Sequence, residues 1–229
     1  MLKPFALLSL TLCISAWSFV PPAAAATLEG EVHIWEKGAL FGENNLDDRS
    51  NAVIFIAGFS EPPPAGDIPE LAQHNKSFST RVLAITQGES VAFPNLDPFH
   101  HNVWSKSKAR PFDLGLFKFP ESKTVSFPQP GIVSVFCNIH PQMIATILVL
   151  PNNKYDVTPP SGKYRIEGIP AGTHAVFAWV EGAAPVRKVI EFKQGAAVKA
   201  DFRLQLKRIP ITHLNKEGKH YESRPDYKR

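Results

Sequence analysis

Gly131-Ile-Val-Ser-Val-Phe-Cys-Asn-Ile-His-Pro-Gln-Met-Ile-Ala-Thr-Ile-Leu-Val-Leu150 is the stretch that decides how this chain folds. Ile132 to Phe136 and Ala145 to Leu150 read as strands, with a tight loop between them. Working outward, the same kind of segment recurs. Leu28 to Trp35, Asn51 to Gly58, Arg81 to Thr86, Ser90 to Phe93, Asn102 to Ser105 and Thr124 to Phe127 precede it. Lys163 to Ile166, His174 to Trp179, Arg187 to Phe192 and Ala197 to Leu206 follow it. Turn residues punctuate the series, among them Gln87-Gly88, Pro94 to Pro98 and Pro128-Gln-Pro-Gly131. Long amphipathic helical patterns are missing, and the one helical piece expected is a short turn near Pro69 to His74. Short strands at this spacing predict an all-β chain built as sandwich or barrel.

The loop of the opening stretch carries chemistry. Cys137, His140 and Met143 can be turned toward one point. Thiolate, imidazole and thioether are soft-to-borderline ligands that suit copper cycling between Cu(I) and Cu(II). A blue-copper site takes two histidines and one cysteine in a plane with a weak axial methionine. The loop has one histidine, so the second must come from a neighbouring strand. His100-His101-Asn102-Val103-Trp104 offers two candidates, His100 and His101. A structural zinc site would want four Cys or His ligands, and thioether suits zinc poorly.

Residues 1–26 are expected to be a secretory signal peptide: Lys3, an apolar run from Phe5 to Val20, then Ala23 to Ala26 at the cleavage site. The run is too short for a membrane span. Cleavage would leave one cysteine, Cys137, and one methionine, Met143. A lone thiol in an oxidising compartment needs protection, by burial or by a metal. Without residues 1–26 the chain holds 24 Lys+Arg against 21 Asp+Glu, a net of +3. Residues 207–229 alone carry a net of +4, so the basic character sits in a polar tail and does not mark a nucleic-acid surface. That tail is expected to be a solvated, disordered extension.

The strand ending in Asn95 and Asp97, then His-Asn-Val at 101–103, and 36 residues later Cys-x-x-His-Pro-x-Met, resembles the cupredoxins over roughly residues 75–150. The short gap to the methionine is similar to the amicyanin-type members, and similar tandem proteins are often labelled methylamine-utilisation proteins on that likeness. The resemblance implies a Greek-key β-sandwich over 72–150. It implies one type 1 copper held by His101, Cys137, His140 and Met143, with His100 the alternative to His101. It further implies that Asn102 ties the ligand strand to the cysteine loop, and that Phe99 and Pro141 flank the surface where redox partners dock. A second resemblance rests on Gly162-Lys-Tyr-Arg-Ile-Glu-Gly-Ile-Pro-Ala-Gly-Thr-His-Ala-Val176 with Gly30-Glu-Val32 and Asn51-Ala-Val-Ile54. These are similar to the carboxypeptidase regulatory-like (transthyretin-like) β-sandwich, and imply a small discontinuous sandwich from 27–60 and 151–206 with the other unit inserted.

The function so implied is a periplasmic or secreted electron carrier, not an enzyme, working between redox proteins such as a dehydrogenase and a cytochrome. The alternative use of the same four residues is copper storage or delivery to a cuproenzyme. A copper nitrite reductase would need a second, three-histidine copper, and His33, His74, His100, His174, His213 and His220 form no such set in the sequence.

Overall fold

The computed structural model describes residues 25–38, 42–207 and 212–221. The expected signal peptide, with Met1 and Cys13, therefore lies outside the described residues except for its last two positions. The chain is all-β. Its first strands are β1 (Ala26–Lys37), β2 (Glu43–Asn45) and β3 (Val53–Ala57). The middle holds β4 (Gln73–His74), β5 (Ser77–Phe78), β6 (Val82–Thr86), β7 (Ser90–Pro94), β8 (His101–Ser105), β9 (Phe112–Phe117), β10 (Ser122–Ser126), β11 (Gly131–Cys137) and β12 (Ile144–Leu150). Then come β13 (Tyr155–Val157), β14 (Lys163–Ile169), β15 (Gly172–Trp179), β16 (Val186–Phe192), β17 (Ala197–Lys199) and β18 (Phe202–Leu206). The helical turn expected near Pro69 to His74 is not formed. Residues 73–78 make a two-stranded hairpin instead, turned at Asn75 and Lys76, both at positive φ.

Strands from the two ends of the chain share sheets. β1 pairs antiparallel with β14 and β2, and parallel with β17 and β18. β3 lies between β13 and β15, with β16 outside β15. The two sheets enclose one apolar core, with Leu28, Val32 and Ile34 on one side and Ile54, Ile56, Val176 and Ala178 on the other. The alternating burial of β1 and β14 follows from the period-two pattern of their sequences. Gly30 has a packing reason: a Cβ there would sit 2.1 Å from the Ala200 carbonyl oxygen.

The middle strands form a second core. A five-stranded sheet runs β6-β12-β11-β8-β9, opposed by the β7–β10 pair. Phe93, Phe117, Phe127, Val133, Val135 and Ile147 fill the space between them.

β12 is buried along its whole length. Ala145, Ile147 and Val149 face the second core. Leu148 and Leu150 face the other way, onto Val53 and Trp179 of the first sandwich, with Val82 beside them. A strand covered on both faces reads as a continuous apolar run, which is what Ile144 to Leu150 is. Polar contacts reinforce this wall. Arg81 donates to both Glu181 carboxylate oxygens, at 2.7 and 3.0 Å, and the Tyr155 hydroxyl donates to the Ala84 carbonyl at 3.1 Å. The Arg81–Glu181 fork is two-pronged and partly shielded, so it should exceed an ordinary surface ion pair. A double-mutant cycle with Arg81→Ala and Glu181→Ala is expected to give a coupling of about 1 kcal/mol. Urea unfolding measures it, and a coupling near zero would make the fork decorative.

Candidate metal centre

The cysteine turn joins β11 to β12. On β11 the inward positions are Val133, Val135 and Cys137, so strand alternation places the sulfur in the core. The turn is closed by its own main chain: Met143 N–H donates to the His140 carbonyl at 3.0 Å, and Cys137 N–H to the Met143 carbonyl at 3.2 Å. Cys137 and Met143 are both fully buried and pack in the same apolar cluster.

The histidine strand is set by the turn before it. Asn95, fully buried, donates from Nδ2 to the Phe99 and Phe117 carbonyls, at 3.0 Å each. Its Oδ1 accepts from Asp97 N–H at 2.9 Å, an Asx turn. This fixes Asp97 beneath β8. The Asp97 carboxylate accepts from Asn75 N–H at 2.7 Å, Lys76 N–H at 3.0 Å and His101 Nε2 at 2.8 Å. Burial raises the Asp97 carboxyl, but the bonds from Lys76, His101 and Asn75 outweigh it and hold it below the usual carboxylate range.

His101 is fully buried, and its remaining nitrogen, Nδ1, points at the cysteine turn. It lies 3.7 Å from Cys137 Sγ and 3.2 Å from His140 Nδ1, and the His140 Nδ1 to Cys137 Sγ distance is 3.7 Å. One ion bonded at about 2.0–2.3 Å to each atom can span such separations. Burial lowers the pKa of His101, partly opposed by Asp97. Burial first, and the charge of His101 second, bring His140 down to about 4. Both rings are therefore neutral near pH 7, and neutral imidazole is the ligating form. A His101 that donates from Nε2 to Asp97 keeps its Nδ1 lone pair for the cluster, the arrangement by which outer partners orient metal ligands.

The structure thus brings together His101, Cys137 and His140 as a group able to hold a metal ion. Met143 lies at the foot of the same turn. His100 is exposed and lies outside the group. Asn102 does not reach the cysteine loop with its side chain: Nδ2 donates to Asp113 Oδ1 at 2.7 Å. The tie between strand and loop runs instead through the main chain, with Asn138 N–H donating to the Asn102 carbonyl at 3.2 Å. Phe99 stands edge-on to both rings, at 5.3 Å from His101 and 5.9 Å from His140. Pro141 is half-buried beside His140. Sequence reasoning missed three participants. Asp97 was legible as a turn residue and as part of the motif leading into His101, but its bond to the His101 ring was not. Lys76, whose ammonium lies 5.4 Å from the Phe99 ring centre, arrives through the unexpected hairpin. Residues 212–221 come from the polar tail.

The chain thus joins an all-β fold to a His–Cys–His cluster in which His101 and Cys137 are buried and His140 is half-buried. No family model matches the chain, and no curated protein sequence does. Among solved structures, the chain is similar to a copper-containing nitrite reductase from Thermus scotoductus SA-01, with 24% identity and a TM-score of 0.36 over 41% of this chain. The match spans 25% of that enzyme's length. It is also similar to a reduced Cu(I) form of amicyanin, with 20% identity, a TM-score of 0.35, and coverage of 42% of this chain and 97% of that one. A purple cupredoxin from Nitrosopumilus maritimus shows 18% identity and a TM-score of 0.32, covering 35% of this chain and 98% of that one.

Proposed function

We propose that this protein is a type 1 copper protein that passes single electrons between redox partners, exported to the periplasm or beyond after loss of residues 1–26. The observation that carries the reading is the cluster of His101, Cys137 and His140, the first two fully buried. Its donor set, two imidazoles and a thiolate with a thioether in the same turn, suits copper better than zinc. In this reading His101, Cys137 and His140 would hold the copper, with Met143 offering its thioether from the same turn. Residues 72–150 form a cupredoxin unit inserted into a carboxypeptidase-regulatory-like sandwich of 27–60 and 151–206. The pairing of β1 with β14 and of β3 with β15 supports that division.

When bound, copper supplies one-electron cycling between Cu(I) and Cu(II). The chain's part is to keep its donors still. Asp97 fixes the His101 ring, and the main-chain bonds across the 137–143 turn fix Cys137 and His140. A cage that does not rearrange keeps the reorganisation on electron transfer small. Catalytic metal sites keep an open position for substrate. Here His101, Cys137 and Met143 are fully buried and His140 alone is partly exposed, which supports a carrier over an enzyme. The same burial disfavours copper delivery, which needs the ion to leave readily.

Adding Cu(II) and recording visible and EPR spectra tests the reading. An intense thiolate-to-copper band with a blue-copper EPR signal is expected, and a colourless adduct would overturn it. The partner surface is then the edge of His140, framed by Phe99, Pro141 and Ile139, the last 41% exposed. Phe99→Lys places a second positive charge on this rim, beside the Lys76 ammonium. It is expected to slow electron self-exchange between reduced and oxidised copies roughly tenfold through like-charge repulsion. The visible band should stay in place, and an unchanged exchange rate would remove Phe99 from the docking surface.

A further inference from the structure

Residues 212–221 return to the turn that carries Cys137. Three polar contacts bind them to it. The Tyr221 hydroxyl donates to the Cys137 carbonyl at 2.9 Å. Lys216 N–H donates to Asn138 Oδ1 at 2.8 Å. His213 N–H donates to the Pro141 carbonyl at 3.3 Å. A fourth contact reaches β9, the strand paired with the histidine strand. Lys216 Nζ pairs with Asp113 Oδ2 at 2.9 Å, and Asp113 Oδ1 accepts from Asn102 Nδ2. Lys216 therefore grips the cysteine turn with its main chain and, with its side chain, Asp113 of β9, which in turn accepts from Asn102.

The segment also covers the outer face of these strands. Phe136 and Trp104 are cross-strand partners on the side opposite Cys137. The His213 ring lies 4.5 Å from Phe136 and 6.1 Å from Trp104, with Tyr221 edge-on to His213 at 5.5 Å. The segment is itself ordered by Asn215, whose Oδ1 accepts from Glu217 N–H at 3.1 Å and Lys219 N–H at 2.8 Å. Asn215 N–H in turn donates to the Lys219 carbonyl at 2.9 Å. The Cys137 carbonyl lies past the last β11–β12 pair, Phe136 with Ile144, and the Pro141 carbonyl lies in the turn, so both need a partner from elsewhere. The segment supplies it.

We infer that residues 212–221 are a strap built into the metal centre, and that Tyr221 is a positioning residue for Cys137. The strap holds the carbonyl of the candidate cysteine ligand and closes the outer side of the ligand-bearing strands. Opening of the 137–141 turn, which exposes the thiol, must first break the strap. This depends on the copper reading only in its spectroscopic arm.

The test uses the full chain with Tyr221→Phe and Lys216→Ala, and a Cys137→Ala control that subtracts any other thiol. In metal-free protein, the rate of Cys137 reaction with a disulfide reagent reports turn opening. Each variant is expected to react roughly fivefold faster, the size of one lost hydrogen bond or partly exposed ion pair, with the melting curve nearly unmoved. With Cu(II) added, Tyr221→Phe is expected to shift the thiolate-to-copper band, which a residue with a merely structural role would leave in place. Parental thiol rates in both variants would overturn the strap, and an unmoved band would overturn the positioning role of Tyr221. Faster thiol reaction without any copper band in the parent would keep the strap and sink the copper reading.

Discussion

Cys137→Ala is expected to abolish the thiolate-to-copper band and to weaken metal binding by on the order of a hundred- to a thousandfold. Four-ligand structural zinc sites yield about 10–16 kcal/mol of binding, or roughly a quarter of that per ligand. Cys137 supplies more than an average share, because it is the one anionic donor in the His101–Cys137–His140 group. Without it, a divalent cation would face two imidazoles and a thioether in an apolar cluster, with its charge uncompensated. The fold itself should survive. A buried Cys behaves as a small hydrophobe, so its truncation is expected to cost about 1 kcal/mol. Copper titration followed by visible absorption, with urea unfolding of the metal-free protein, separates the two effects. Retained binding and colour in Cys137→Ala would remove the cysteine from the site.

Asp97 carries the second large effect. Its carboxylate is 3% exposed as a residue and accepts from two main-chain N–H groups and from His101. Asp97→Ala would orphan the buried His101 Nε2 donor and release the main-chain N–H groups of the exposed Asn75 and Lys76. A loss of about 2–4 kcal/mol is expected in metal-free unfolding, since a hydrogen bond to a charged group is worth about 1.5–3 kcal/mol and water can replace the partner of the exposed Asn75 and Lys76. Asp97→Asn keeps the shape and removes the charge. It leaves His101 without the carboxylate that fixes its tautomer, and metal affinity should fall roughly ten- to a hundredfold. Undiminished affinity in Asp97→Asn would show that the His101 ring is held by packing alone.

The sequence made the all-β class plain, because strands such as Leu28 to Trp35 and Ala145 to Leu150 announce themselves by alternation or by an unbroken apolar run. Other strands stayed hidden. β9, Phe-Asp-Leu-Gly-Leu-Phe, carries an aspartate and a glycine that read as turn residues, and no strand was expected there. The hairpin at 73–78 has a turn of Asn75 and Lys76 with too little flanking pattern to betray it. In the candidate site, Cys137, His140 and Met143 were visible because they fall in one turn. The bond between Asp97 and His101 was not, since a pairing four residues apart outside a helix has no periodic signature. The strap was masked by composition. Residues 212–221 are held through main-chain atoms and single polar groups, and such contacts leave no apolar pattern to read.

The doubly covered strand β12 has a thermodynamic consequence. Its two faces belong to two cores, so neither core can melt and leave the other's wall standing. Heat should then unfold the whole chain in a single calorimetric transition. Occupying the centre beside Cys137 would raise the melting temperature of strands far from it, such as β1 and β14. At a free metal concentration a thousand times the dissociation constant, that linkage is worth about 4 kcal/mol, shared by both sandwiches.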